Sequence, residues 1–127
     1  MVVVIVALTG CNRLSSEAKE MIGQYYVPEI SQDVPIMDLR EDGRCTVSAV
    51  KPNVLTYSVD GKWNVKDDVL KIDLDPKTLT FEGDSTLIGE IEPERRYPIV
   101  SYNGITLEVK HDGLTFSFHR RVKPVEE

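Results

Sequence analysis

Positive charge is scarce in this chain. Fifteen Lys and Arg stand against 21 Asp and Glu in 127 residues, a net charge of -6. A phosphate backbone demands a positive field, so this balance argues against a nucleic-acid partner. Only Arg95-Arg96 and His119-Arg120-Arg121 cluster positive charge, and each reads as solvated charge flanked by Glu or backed by a strand. Cysteine is also sparse, with Cys11 and Cys45 alone. A domain of this length buries roughly two-thirds of its unfolded surface and needs no disulfide staple. An oxidising compartment would permit a bridge. Their unlike settings separate the two, and Cys45 alternates with apolar neighbours as a small buried hydrophobe. Long apolar runs are absent too. The run Val2–Leu8 rises only about 10 Å as a helix, far short of a bilayer core.

Reactive groups gather poorly as well. Of the two histidines, His111 is expected opposite Leu114, five residues from His119 along the neighbouring strand, a separation of roughly 17 Å that is too far for one ion. With no Cys-x-x-Cys, no metal site is expected, and no cofactor. Asp42, Asp67, Asp68 and Asp112 sit at turns, and Asp60, Asp73 and Glu108 fall on a polar face. That spacing offers no converging acid pair of the kind a glycosidase needs. Gly83-Asp84-Ser85 resembles the nucleophile block of one esterase family, but that family's later Asp-x-x-His is missing because Asp112 directly follows His111. A polar turn is the simpler reading, and no catalytic residue is assigned.

What the chain does have is period-two hydrophobicity. Leu55, Tyr57, Val59, Gly61, Trp63 and Val65 take one face of a single long strand, with Gly61 as a bend or bulge. A turn at Asp67-Asp68 sets Val65 against Leu70, Trp63 against Ile72, Gly61 against Leu74 and Lys62 against Asp73. Glu41-Asp42-Gly43 suits a three-residue loop pairing Leu39 with Cys45 and Met37 with Val47. Asn103-Gly104, as a two-residue turn, pairs Tyr102 with Ile105, Val100 with Leu107 and Pro98 with Val109. Asp112-Gly113 pairs Val109 with Phe116, Leu107 with Phe118 and Ile105 with Arg120. Strands are expected near 23–28, 35–40, 44–50, 54–66, 69–75, 78–82, 96–102, 105–111 and 114–121, with 86–94 open between strand and loop. Hairpins sharing one buried face predict an all-β, antiparallel up-and-down meander closing into a barrel of about 8 strands.

Leu8-Thr9-Gly10-Cys11, ending the apolar run, resembles the lipobox of bacterial lipoproteins. The resemblance implies a signal peptide over 1–10, lipid attachment at Cys11 and a tether over 11–21. No Lys or Arg precedes the run, so either the start lies upstream or Met1 is internal. Asn12 in place of Asp implies outer-membrane delivery, facing the periplasm. Over residues 22–121 the chain resembles the small lipocalin-like domains of bacterial envelope lipoproteins; 122–127 is a tail. The likeness rests on Gly23-Gln24-Tyr25 with Pro28 and Ile30, on Leu39 with Asp42-Gly43, on Leu55, Tyr57, Trp63, Leu70 and Ile72, and on Leu107, Val109, Phe116 and Phe118 before Arg120. It implies a lipocalin-like barrel whose terminal Arg, here Arg120 or Arg121, plugs one end, with Arg120 lying across Tyr25. The expected interior is Tyr57, Trp63, Tyr102, Phe116 and Phe118. Those side chains either fill the core or line a pocket for one small hydrophobic ligand. The resulting expectation is a membrane-anchored, non-enzymatic binding module of the cell envelope. An accessory or structural lipoprotein acting through an envelope protein is the alternative, and a hydrolase the least favoured.

Overall fold

The computed structural model describes residues 14–121. The proposed signal peptide, Cys11 and the 122–127 tail lie outside that range. Within it run a short helix α1 (Ser16–Lys19) and nine strands. These are β1 (Gly23–Tyr26), β2 (Met37–Leu39), β3 (Arg44–Lys51), β4 (Leu55–Lys66), β5 (Val69–Leu74), β6 (Thr80–Gly83), β7 (Glu94–Tyr102), β8 (Thr106–His111) and β9 (Leu114–Arg121). Every pairing is antiparallel. Eight strands close a ring in the order β1-β2-β3-β4-β5-β7-β8-β9, and β9 returns to β1 through Tyr25 opposite Arg120. The fold is the all-β barrel that the hydrophobic alternation predicts. β6 lies outside the ring and pairs with the first residues of β4.

Most of the register follows from turn chemistry. Asp67 and Asp68 both take left-handed φ, 55° and 61°, the conformation of a two-residue hairpin turn whose twist matches its strands. The turn sets Val65, Trp63 and Gly61 opposite Leu70, Ile72 and Leu74, with Lys62 opposite Asp73, all as expected. Gly43, at φ 84°, closes the β2–β3 loop and pairs Leu39 with Cys45 and Met37 with Val47. Asp112 and Gly113 repeat the two-residue turn and set Val109 opposite Phe116 and Leu107 opposite Phe118. The inward faces of these strands supply the buried core, which includes Leu39, Cys45, Trp63, Leu70, Ile72 and Leu107.

The β7–β8 hairpin differs from its expected register. The Asn103 side-chain oxygen accepts from the backbone N–H of Ile105 at 2.9 Å and of Thr106 at 2.8 Å. That capture lengthens the loop to the four residues 103–106, so Tyr102, not Val100, stands opposite Leu107. A separate bulge at Val100 adds one unpaired residue to β7, between Ile99 opposite Val109 and Ser101 opposite Glu108. Tyr97, Ile99 and Tyr102 therefore turn inward, while Val100 and Ile105 stand 49% and 59% exposed. Pro98, Val100 and Ile105 do not belong to the apolar face assigned to them from the sequence.

Residues 14–21, read as a tether, are part of the domain: Leu14, Ala18 and Met21 are buried in the core. Ser15 caps α1 by accepting from the Ala18 N–H, and its hydroxyl donates to the Val65 carbonyl at 2.6 Å. Residues 86–94, open on sequence grounds, hold a 3-10 turn at Ser85–Leu87 and then irregular chain up to β7.

Gly61 sits mid-strand between Cys45 and Leu74, where β3, β4 and β5 run side by side. A Cβ there would lie 2.1 Å from the Asp73 carbonyl oxygen and 2.8 Å from the Leu74 Cα. Neither backbone atom can yield without breaking the ladder. Gly61→Ala is therefore expected to destabilise the barrel by about 1–3 kcal/mol in urea unfolding, whereas Ile105→Ser should stay within about 0.5 kcal/mol. A neutral Gly61→Ala would contradict the close approach.

Candidate functional site

The two ends of the barrel are built differently. At the end where β1 begins and β9 finishes, the interior is stoppered. Gly23 has φ 154°, and a Cβ on it would meet Arg120 Nε at 3.0 Å, so the glycine makes room for that side chain. The Arg120 guanidinium donates through Nη1 to the Tyr102 hydroxyl at 2.7 Å and to the Glu20 carbonyl at 3.2 Å. Tyr25 is fully buried beside it, donates to the Met21 carbonyl at 2.7 Å and lies 3.4 Å from the Tyr102 hydroxyl. α1 and its following turn thus lock onto an Arg-Tyr-Tyr chain. Burial, reinforced by the Tyr102 hydroxyl, pushes the Tyr25 phenol well above its ordinary range. The expected Arg120-on-Tyr25 stacking takes another form: the cation over a ring is Arg121, 3.8 Å from the Tyr26 centroid. Arg120 reaches Tyr25 through Tyr102 instead. The physical reason is that the longer β7–β8 loop sets Tyr102 opposite Leu107, where its hydroxyl takes the guanidinium.

The opposite end is open. A cavity of about 440 Å³ lies between the inward faces of β7, β8 and β9 and the β1–β2 connection. Tyr97, Val109, His111, Phe116 and Phe118 line it from the strands, and Ile30 and Ile36 from the connection. Phe116 and Ile30 are each 41% exposed, although Phe116 stands directly opposite the buried Val109 on an inward face. Inward-facing aromatic surface left in contact with water is the mark of a pocket rather than a filled core. Tyr97 and His111 meet edge to face at 5.2 Å, and His111 tilts towards Phe116 at 6.4 Å.

Of the five residues named as interior, the structure brings only Phe116 and Phe118 together. Trp63 is buried nearer the stoppered end, donating its Nε1–H to the Arg40 carbonyl at 2.8 Å. Tyr102 belongs to the stopper. Tyr57 is half-buried between Ala49 and Phe81, where β4 leaves β5 for β6. Tyr97 and His111 were missed as site residues. His111 was legible: it stands opposite Leu114 and shares a face with Val109 and Leu107. Tyr97 was hidden by the bulge.

Other chemistry is ordinary. In Gly83-Asp84-Ser85, Asp84 accepts from both the N–H and the hydroxyl of Thr86, which hold its carboxyl below the usual range. The motif is a turn cap. Among the described residues, no cluster of three or more His, Cys, Asp or Glu could hold a metal ion. Cys45 is a buried free thiol pushed up to about 12 by desolvation. Comparison with protein-family models, curated proteins and solved structures finds no match to this chain.

Cys45 and Tyr25 both have folded-state values raised above those of the unfolded chain. Their contribution to stability is complete below pH 9 and is lost as pH rises, because only the unfolded chain then sheds their protons. Unfolding free energy should fall from about pH 9 towards 12, and more shallowly in Cys45→Ala, as read by urea titrations across that range. A slope unchanged by Cys45→Ala would contradict the assignment.

Proposed function

We propose that this protein is a membrane-anchored, non-enzymatic binding module of a bacterial envelope whose barrel takes one small hydrophobic ligand at its open end. One observation carries the binding role. A barrel stoppered at one end by Arg120, Tyr102, Tyr25 and α1 keeps an apolar cavity at the other, with inward-facing Phe116 still in contact with water. A volume of about 440 Å³ falls in the range of small-molecule sites, which are mostly apolar with a few placed polar groups. The lipobox resemblance at Cys11 supports the anchor, and the lipocalin-like resemblance supports a barrel used as a container.

A second reading, an accessory protein acting through a partner, is favoured by β6. Its outer edge is unpaired among the described strands, and it leaves Phe81 53% exposed.

The neutral dye N-phenyl-1-naphthylamine should bind saturably, one per chain. Phe116→Asp should weaken it at least tenfold, since burying an aromatic ring is worth about 1.5–3 kcal/mol. Ile105→Asp, at the stoppered end, should leave binding unchanged. Unsaturable binding, or equal loss in both variants, would refute the cavity. Mass spectrometry of the natively purified protein tests the anchor: a chain beginning at an acylated Cys11 is expected, and an underivatised N-terminus before Cys11 would refute it.

A further inference from the structure

Charge around the open mouth is unevenly compensated. The rim where β7 begins and β8 ends carries Arg95, Arg96 and Lys110 beside Glu92, Glu94 and Asp112. Arg96 is engaged by Asp73 at 3.1 Å and Glu94 at 3.3 Å, and Asp112 lies 3.4 Å from His111. Lys110 faces outward opposite Thr115. Arg95 differs from all of these. Among the described residues it has no carboxylate partner: its Nε donates to the Glu92 carbonyl at 3.1 Å, and Nη1 reaches the Tyr97 hydroxyl at 3.5 Å.

Register fixes where Arg95 and Tyr97 face. Arg95 stands opposite Ile72 and Tyr97 opposite Leu70, and both partners are fully buried in the barrel. A half-buried guanidinium and a phenol are thus successive groups on the inward face. Tyr97 is also a wall of the apolar cavity. His111, packed edge-on against it, lines both that cavity and the polar recess of about 460 Å³ that holds Arg95. The apolar cavity and the recess of this uncompensated cation thus share His111 as a wall, with Tyr97 of the cavity bonded to Arg95. A tyrosine hydroxyl that accepts from Arg95 keeps its own proton free to donate. One cationic and one neutral donor side by side match the two oxygens of a carboxylate. The opposing carboxylates, Glu29 at the cavity and Glu92 at the recess, are exposed, where water screens them strongly.

We infer that the ligand of this mouth is an amphipathic monocarboxylate, its apolar body in the cavity and its head between Arg95 and Tyr97. The inference rests on the cavity-binding reading given above. It is tested by displacing N-phenyl-1-naphthylamine with decanoate, 1-decanol and decylammonium at pH 7.5, on the full chain and on Arg95→Gln and Tyr97→Phe, with folding checked by circular dichroism. Decanoate should displace the dye at about tenfold lower concentration than decanol, the scale of a charge-assisted hydrogen bond. Arg95→Gln should erase that advantage while leaving decanol unchanged, and Tyr97→Phe should reduce it. Equal displacement by all three, a preference for decylammonium, or an advantage surviving Arg95→Gln would overturn the head-group inference and leave the cavity reading standing. Failure of the dye and all three compounds to bind would overturn both.

Discussion

Three residue pairs hold the architecture closed: Gln24 with Arg121, Tyr25 with Arg120 and Tyr26 with His119. Without this β1–β9 seam, the strands would form a curled sheet with two raw edges, and each exposed edge is a row of unsatisfied backbone groups. The seam does more than supply ladder hydrogen bonds. It brings Arg120 alongside Tyr25, and the missing side chain at Gly23 gives the arginine stem its room. Closure and the internal stopper are thus one event. Because the stopper occupies only the end where β1 begins, the other end stays open under the β1–β2 connection.

That asymmetry divides the aromatic residues by role. Tyr25, Tyr102 and Trp63 each spend their polar atom on a backbone carbonyl near the stoppered end, at Met21, Glu20 and Arg40. A buried donor without such a partner would be costly, so these rings are fixed in place. Phe116 and Phe118 have no polar atom to satisfy. They can border an opening without penalty beyond the hydration of their exposed rims.

Legibility in the sequence tracked how local the determinant was. The hairpins at Asp67-Asp68, Glu41-Gly43 and Asp112-Gly113 were readable because turn type and strand alternation agreed, and either one alone predicts the other. Asn103-Gly104 misled for a specific reason. The Asn side chain captured two amide hydrogens and lengthened the loop by two residues, and a bulge at Val100 turned Tyr97 and Ile99 inward in place of Pro98 and Val100. Nothing in the run Tyr97 to Tyr102 marks a bulge, since Val100 is as apolar as the inward Ile99. The cavity was illegible for a related cause. Which inward aromatics meet depends on strand stagger around the ring, a property of eight strands together and of no single pair. The role of residues 14–21 was hidden by their polarity: three apolar residues, Leu14, Ala18 and Met21, suffice to seat a one-turn helix.

Leu14, the first described residue, is buried in the core, and Ser15 beside it bonds Val65 on the stoppered side. On the proposal that Cys11 is acylated, three residues span at most about 10 Å between lipid and fold. The bilayer would then lie beneath the plug, and the aperture would point away from it by the length of β9, roughly 25 Å. On that geometry cargo would arrive through water or from a facing macromolecule, because lateral transfer out of the anchoring leaflet would be blocked.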